Sequence, residues 1–207
     1  IKLTKVASLS KNAPKIFIIA GGPGLSSLTL RDLDLLKRNF ELIYVDMQGT
    51  NDSEYQGQKS YADLSCALNE IVKKEFGMKY ALGHSFGGFF ASDLCLSTPF
   101  SQASLSSANE NYEANKTSSL AEAESAWSDK QDDSSFAKWL SEYGVLYFTN
   151  PKGKSLLSKD EVSSQFFKDN RADILDKENM LDSLSNIDGA KIFIAGQADK
   201  LLPMNVL

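Results

Sequence analysis

Short apolar runs alternate with longer amphipathic stretches along the first half of the chain, and this alternation predicts its elements. Lys15 to Ala20 (K-I-F-I-I-A) is a β-branched run of the kind buried on both faces of a parallel sheet. Gly21-Gly22-Pro23-Gly24 breaks it, and Leu28, Leu30, Leu33, Leu35 and Leu36 then interleave with charges as an amphipathic helix. Glu41 to Asp46 (E-L-I-Y-V-D) is the next expected strand. Tyr61 to Phe76 puts Leu64, Leu68, Ile71 and Val72 on one helical face, and the apolar run from Met78 to Gly83 follows as a strand. Phe89 to Leu96 reads as a helix and Ala103 to Ala108 as another strand. Such β-α alternation predicts a mostly parallel sheet flanked by helices on both faces.

The pattern then changes. From Asn109 the chain is acidic, Ser-rich and helix-like, with Phe136, Trp139, Leu140 and Tyr143 at helical spacing. A further helix is expected from near Ser158, with Asp160 and Glu161 in its first turn. Strand character returns at Ala190 to Ala195. A helical block inserted between strands of a parallel sheet reads as a cap over the carboxyl edge, where open α/β sheets bind ligands. The expected organisation is a core from residues 1–108 and 189–207 with a helical cap over 109–188.

Composition narrows the function classes. Of the 207 residues, 42% are hydrophobic and 24% charged, proportions of an ordinary globular protein with one sizeable core. A net charge of -5 offers no basic patch for nucleic acid or an anionic membrane, so neither is expected as a partner. No apolar run approaches the roughly 20 residues that span a bilayer. Cys66 and Cys95 fall in expected helices without metal-ligand spacing, and read as buried free thiols. There is no signal-peptide pattern, although the chain opens at Ile1 without a Met; a cytoplasmic location is the default. Oligomeric state leaves no signal.

The chemistry concentrates at Gly83-His84-Ser85-Phe86-Gly87, followed by Gly88. A serine between glycines at a strand-to-helix junction is the G-x-S-x-G nucleophile elbow of α/β-hydrolases: a strained turn exposes the hydroxyl, and larger neighbours would clash with strand and helix. Ser85 is the candidate nucleophile; the alternative is a serine in a tight structural turn. The Gly21-Gly22-Pro23-Gly24 loop can aim backbone N–H groups at a developing oxyanion. The Gly22 amide, with the Phe86 amide at the start of the following helix, is the expected donor pair. A phosphate-binding loop is the rival reading, but its G-x-x-x-x-G-K-[ST] pattern is absent. Asp199, just past the expected strand Ala190 to Ala195, stands where this fold carries the base-orienting acid.

The general base is the missing piece. His84 is the only histidine, and adjacent side chains at a turn diverge, so it is expected to be packed or hydrogen-bonded beneath the elbow. In this fold the base follows the acid after another helix and strand. The few residues after Asp199 cannot hold a crossover of about a dozen residues and a strand of about five. The base is therefore expected beyond Leu207, with its helix and strand absent from this sequence; the alternative is a protein without one.

Together these residues resemble the prolyl iminopeptidase-like branch of the α/β-hydrolase family. Its members carry an H-G-G-P-G loop, a D-Q-R-G-x-G-x-S segment and a G-x-S-x-G-G elbow. Here the loop reads Ala20-Gly21-Gly22-Pro23-Gly24, without the histidine. The second segment reads Asp46-Met47-Gln48-Gly49-Thr50-Asn51-Asp52-Ser53, with Gln48 for the Arg and Asn51 for the second Gly, a replacement that tolerates positive φ. The elbow matches fully. The resemblance implies an acyl-enzyme on Ser85, an oxyanion held by Gly22 and Phe86, Asp199 orienting a histidine, and no metal or organic cofactor. It implies a small ester, amide or N-terminal peptide as substrate. In peptidase members acidic cap residues bind the substrate's amino group, and Glu110, Glu113, Glu122 and Glu124 are available, although a charged helix surface explains them equally. Trp127, Phe136, Trp139 and Tyr143 read as helix core rather than pocket wall. An acyltransferase or thioesterase with the same nucleophile, and a non-catalytic ligand-binding protein, are the alternatives; epoxide and haloalkane hydrolases need a carboxylate where Ser85 stands.

Overall fold

The computed structural model describes residues 1–77, 79–95, 112–147, 157 and 160–175. The chain divides into two compact units, one of Ile1–Pro99 with Asp160–Ile187 and one of Phe100–Lys159 with Asp188–Leu207. The expected strands at 103–108 and 190–195, and Asp199, lie outside the described residues.

In the first unit, strands β1 (Lys2–Val6), β2 (Lys15–Ile19), β3 (Glu41–Asp46) and β4 (Lys79–Gly83) form a sheet ordered β1-β3-β2-β4. β2 runs parallel to both β3 and β4, with Ile16 opposite Leu42 on one side and Tyr80 on the other. β1 joins antiparallel to β3, pairing Lys2 with Asp46 and Val6 with Leu42. The apolar runs become strands buried on both faces: every residue from Ile16 to Ile19 and from Leu42 to Val45 is buried. Alternate positions face opposite ways. Ile16, Ile18, Leu42 and Tyr44 form one cluster, covered by Leu30, Leu33 and Leu36.

Those three leucines come from a 3-10 helix, Ser27–Arg38, where the sequence led to an amphipathic helix. Their spacing of three suits 3.0 residues per turn, and Leu35, which breaks that spacing, is 63% exposed. Helix α1 (Tyr61–Lys73) starts with a capping box between Ser60 and Asp63, and buries Tyr61, Leu64, Ser65 and Leu68. Cys66 falls off that face. It is a free thiol, as expected, but exposed rather than buried. Helix α2 (Gly87–Cys95) packs back on β2 and β4, and Asp93 on it accepts hydrogen bonds from Tyr61 Oη (2.7 Å) and Ser65 Oγ (2.5 Å) of α1.

The second unit contains α3 (Ser118–Lys130) and α4 (Asp133–Tyr147). Trp127 stacks on Trp139 (centroids 4.8 Å apart) and Phe136 is fully buried, so these aromatics pack on one another between the helices. In the first unit, α5 (Ser164–Leu175) begins six residues later than the sequence suggested. Asp160 to Ser163 is irregular, and the Ser163 hydroxyl accepts from the Phe166 amide (3.1 Å) as a cap. Among the described residues no helix is long and apolar enough to cross a membrane.

Candidate active site

The strand order determines where a site can form. From β2 the chain passes to β3 on one side, then returns across β2 to β4 on the other. The order of strands therefore reverses between β2 and β4, and the crevice at their carboxyl ends is where an open α/β sheet takes its ligand. Both chemically promising segments leave the sheet there: Gly21 to Gly24 after β2, and His84 to Gly87 after β4. The surface hollows lined by Lys5, Ser8 and Glu41 and by Pro14, Lys15 and Phe76 include the amino ends of the strands instead.

The turn after β4 is tight. His84 N continues the ladder by donating to Ile19 O (3.0 Å), and then Gly87, Gly88 and Phe89 donate to the carbonyls of His84, Ser85 and Phe86. Ser85 sits at φ +51° and is exposed. A side-chain-bearing residue in the left-handed region costs of order 1–3 kcal/mol and persists only where its surroundings impose it. The surroundings here are two glycines with no room for a side chain. A Cβ at Gly83 would stand 2.2 Å from Gly87 O, and one at Gly87 would stand 2.2 Å from Ile19 O. Strand, turn and helix are in backbone contact, and the serine is turned outward.

The Phe86 side chain does the opposite. It is buried at 4% exposure among Tyr61, Phe89, Phe90 and Phe166, with edge-on contacts to Tyr61, Phe90 and Phe166. That aromatic anchor fixes the position of its amide, which lies ahead of the first turn of α2 and donates to no backbone group among the described residues. The Gly22 loop lies alongside. A Cβ on Gly21 would be 2.9 Å from His84 Nδ1 and 3.0 Å from Ser85 Cβ, so the loop and elbow are in contact. His84 is thus exposed beside Gly21 rather than packed beneath the elbow, because Gly21 leaves space for the ring on the open side of the turn.

Three groups hold the far end of the Gly22 loop. Asp46, fully buried at the end of β3, accepts from Ser27 N (2.7 Å), Ser27 Oγ (3.1 Å) and Asn51 Nδ2 (3.1 Å). Ser163 N donates to Gly24 O (2.9 Å). Asp160 accepts from Ser26 N (3.1 Å to each oxygen) and from Ser26 Oγ. Burial pushes the Asp160 carboxyl up to about 6; the Ser26 hydrogen bonds oppose that rise, and the nearby Asp46 charge adds to it. The segment from Asp46 to Ser53 is in the same assembly. Asn51 adopts φ +49°, the conformation that lets it stand for glycine, and its amide donates to Glu161 O (3.0 Å). Sequence reasoning missed Asp160, having placed it in the first turn of a helix.

Of the acidic side chains considered for amine binding, Glu124 pairs with Lys116 at 2.5 Å, Glu113 with the same lysine at 3.6 Å, and Glu122 is exposed. Glu110 lies outside the described residues, as does Asp199. No group of three or more metal-ligating side chains occurs among the described residues.

The fold has counterparts among solved structures. An esterase from Exiguobacterium antarcticum superposes with a TM-score of 0.69 at 16% identity, over 99% of this chain and 80% of that one. A metagenomic α/β hydrolase from the deep-sea Medee basin gives 0.56 at 14% identity, over 99% and 78%. The chain has the α/β-hydrolase fold. No family model matches it. A protein of Cronobacter sakazakii, provisionally named carbamate hydrolase RutD, is 31% identical over 90 residues, which is 42% of this chain and 34% of that protein. The match thus spans about a third of the length of this curated relative.

Proposed function

We propose that this α/β-hydrolase-fold chain belongs to a serine hydrolase that cleaves a small ester, amide, carbamate or N-terminal peptide bond through an acyl-enzyme on Ser85. The observation that carries the reading is the exposed Ser85 at φ +51°, held there by two glycines that admit no side chain. In the reaction, Ser85 Oγ attacks the carbonyl carbon as a general base takes its proton, and the carbonyl oxygen becomes an oxyanion facing the Gly22 and Phe86 amides. Each such donor contributes about 3–4 kcal/mol to the transition state. The tetrahedral adduct collapses, the leaving alcohol or amine departs with the proton, and water then hydrolyses the acyl-Ser85 by the same steps. Asp199 is the proposed orienting acid for that base. Esters and carbamates are favoured over N-terminal peptides. Glu124 and Glu113 are engaged by Lys116, and the segmental likeness is to a protein named for carbamate hydrolysis.

The test is reaction of the full-length protein with a fluorophosphonate, followed by peptide mapping, beside Ser85→Ala. One adduct on Ser85, and loss of both adduct and p-nitrophenyl acetate turnover in the variant, are expected. A wild-type protein that neither labels nor turns over an activated ester would replace this reading with that of a ligand-binding protein.

A further inference from the structure

The chain returns to the first unit at Asp160, and it does so in contact with the loop that carries Gly22. Four residues past Gly22, Ser26 donates its backbone amide and its hydroxyl to the Asp160 carboxylate. The same hydroxyl accepts from Leu28 N (3.2 Å), so it both caps the 3-10 helix and reports to Asp160. Two residues earlier, Gly24 O receives the Ser163 amide. Between this double attachment and the contact of Gly21 with Ser85 lie only Gly22 and Pro23.

We propose that Asp160 is a positioning residue: its carboxylate, bonded to Ser26, holds the Gly22 amide in register with the Ser85 elbow. The inference rests on the serine-hydrolase reading and deepens it. Three features support it. Ser26 and Ser27 are fully buried, so their polar groups need fixed partners, and those partners are Asp160 and Asp46. The Asp46 attachment comes from the sheet itself, whereas the Asp160 and Ser163 attachments come from a distant part of the chain that has no strand or helix holding it at residues 160–163. A carboxylate is also an expensive choice for a merely structural bond here. It is desolvated and lies near Asp46, and Arg31 on the adjoining helix is spent on Ser27 Oγ (3.4 Å) and the Tyr44 ring (4.1 Å). Groups kept against stability in this way concentrate where geometry matters for function.

The experiment compares Asp160→Ala with Asp160→Asn in the full-length protein, with p-nitrophenyl acetate turnover expressed per fluorophosphonate-titrated site. The alanine variant should lose about 10- to 100-fold in kcat, the range an ångström of misplacement can produce, with KM changed less than about twofold. Asparagine keeps an acceptor for Ser26 and should restore kcat to within about threefold of wild type. An alanine variant that is less stable yet retains wild-type kcat per titrated site would reduce Asp160 to a structural role and overturn the proposal. An asparagine variant as slow as alanine would overturn the hydrogen-bonded tether. If Asp160→Ala does not fold, Ser26→Ala removes the hydroxyl from the other side and must show the same split between kcat and KM. A wild-type protein that fails to label at Ser85 removes the hydrolase reading and this inference together; a labelled wild type with unaffected variants removes this inference alone.

Discussion

Gly87 and Gly88 are adjacent glycines in the first turn of the same helix, yet the structure assigns opposite signs to their replacement by alanine. At Gly88 a Cβ meets nothing within 4 Å, so the variant gains only the helix preference of alanine over glycine, about 0.5–1 kcal/mol of added stability. At Gly87 the Cβ would stand 2.2 Å from Ile19 O and 2.4 Å from Ala20 O. A carbon–oxygen contact needs about 3.3 Å, so helix and strand must part by about 1 Å. Both obstructing atoms belong to the backbone of β2, and no side-chain rotation can relieve the overlap. Overpacking of this kind costs about 1–3 kcal/mol. Urea denaturation should therefore move the midpoint up for Gly88→Ala and down for Gly87→Ala, separating the two by at least about 1.5 kcal/mol. Gly87→Ala should also lose activity, since the same displacement moves Phe86 and Ser85 away from the Gly22 loop. Equal midpoints for the two variants would mean that α2 does not seat on β2 as described.

Two further outcomes follow from backbone strain and burial. Ser85→Gly should be more stable than Ser85→Ala by about 1 kcal/mol, because glycine adopts φ +51° freely, and both should be inactive; a differential scanning comparison that ranks them equal would remove the strain argument. The Asp160 carboxyl, raised from 3.8 to about 6, binds a proton more tightly when folded than when unfolded. Its contribution to stability is thus greatest below pH 4 and declines as pH rises to about 6, by ~2 kcal/mol. Glu70, Glu75 and Asp132 titrate in the opposite sense, each lowered by its hydrogen-bond partners, so the effect is read against Asp160→Asn. That variant should gain on wild type by this amount between pH 4 and pH 7, and a pH-independent difference would mean that the carboxyl is not desolvated.

The parts of the fold legible in the sequence are those where one physical requirement dominates. β2 and β3 are buried on both faces, so nearly every residue had to be apolar, and their runs stand out. The elbow was legible because backbone contact at 2.2 Å leaves glycine alone at 83 and 87. β1 was not. Among the described strands it lies at the edge, paired to β3, and its residues Lys2 to Val6 are mostly half-buried, so no strong alternation was needed. The 3-10 helix was readable as a helix but not as its type, because Leu35 and Leu36 together imitate an α-helical stripe until one sees that only the triplet spacing of Leu30, Leu33 and Leu36 meets the sheet. Phe86 could be named for its amide, but not for the aromatic nest from three helices that holds it.

Asp160 marks a different kind of limit. Its local sequence, Ser158-Lys159-Asp160-Glu161, carries the marks of a helix start, and a carboxylate there ordinarily serves the helix dipole. What redirects it is a partner 134 positions away in the chain, Ser26, whose own short sequence looks like an ordinary cap. Neither half of such a pair is anomalous alone. The anomaly arises only on folding, when a carboxyl that could have stayed in water is buried beside a second carboxylate to hold two donors of one loop. The groups that tune a site of this kind are therefore better sought among buried carboxylates bonded to site loops than among motifs. By that criterion Asp46 is the natural control for Asp160. It holds Ser27 of the same loop from within the sheet, so its removal should unfold the protein before it slows the chemistry.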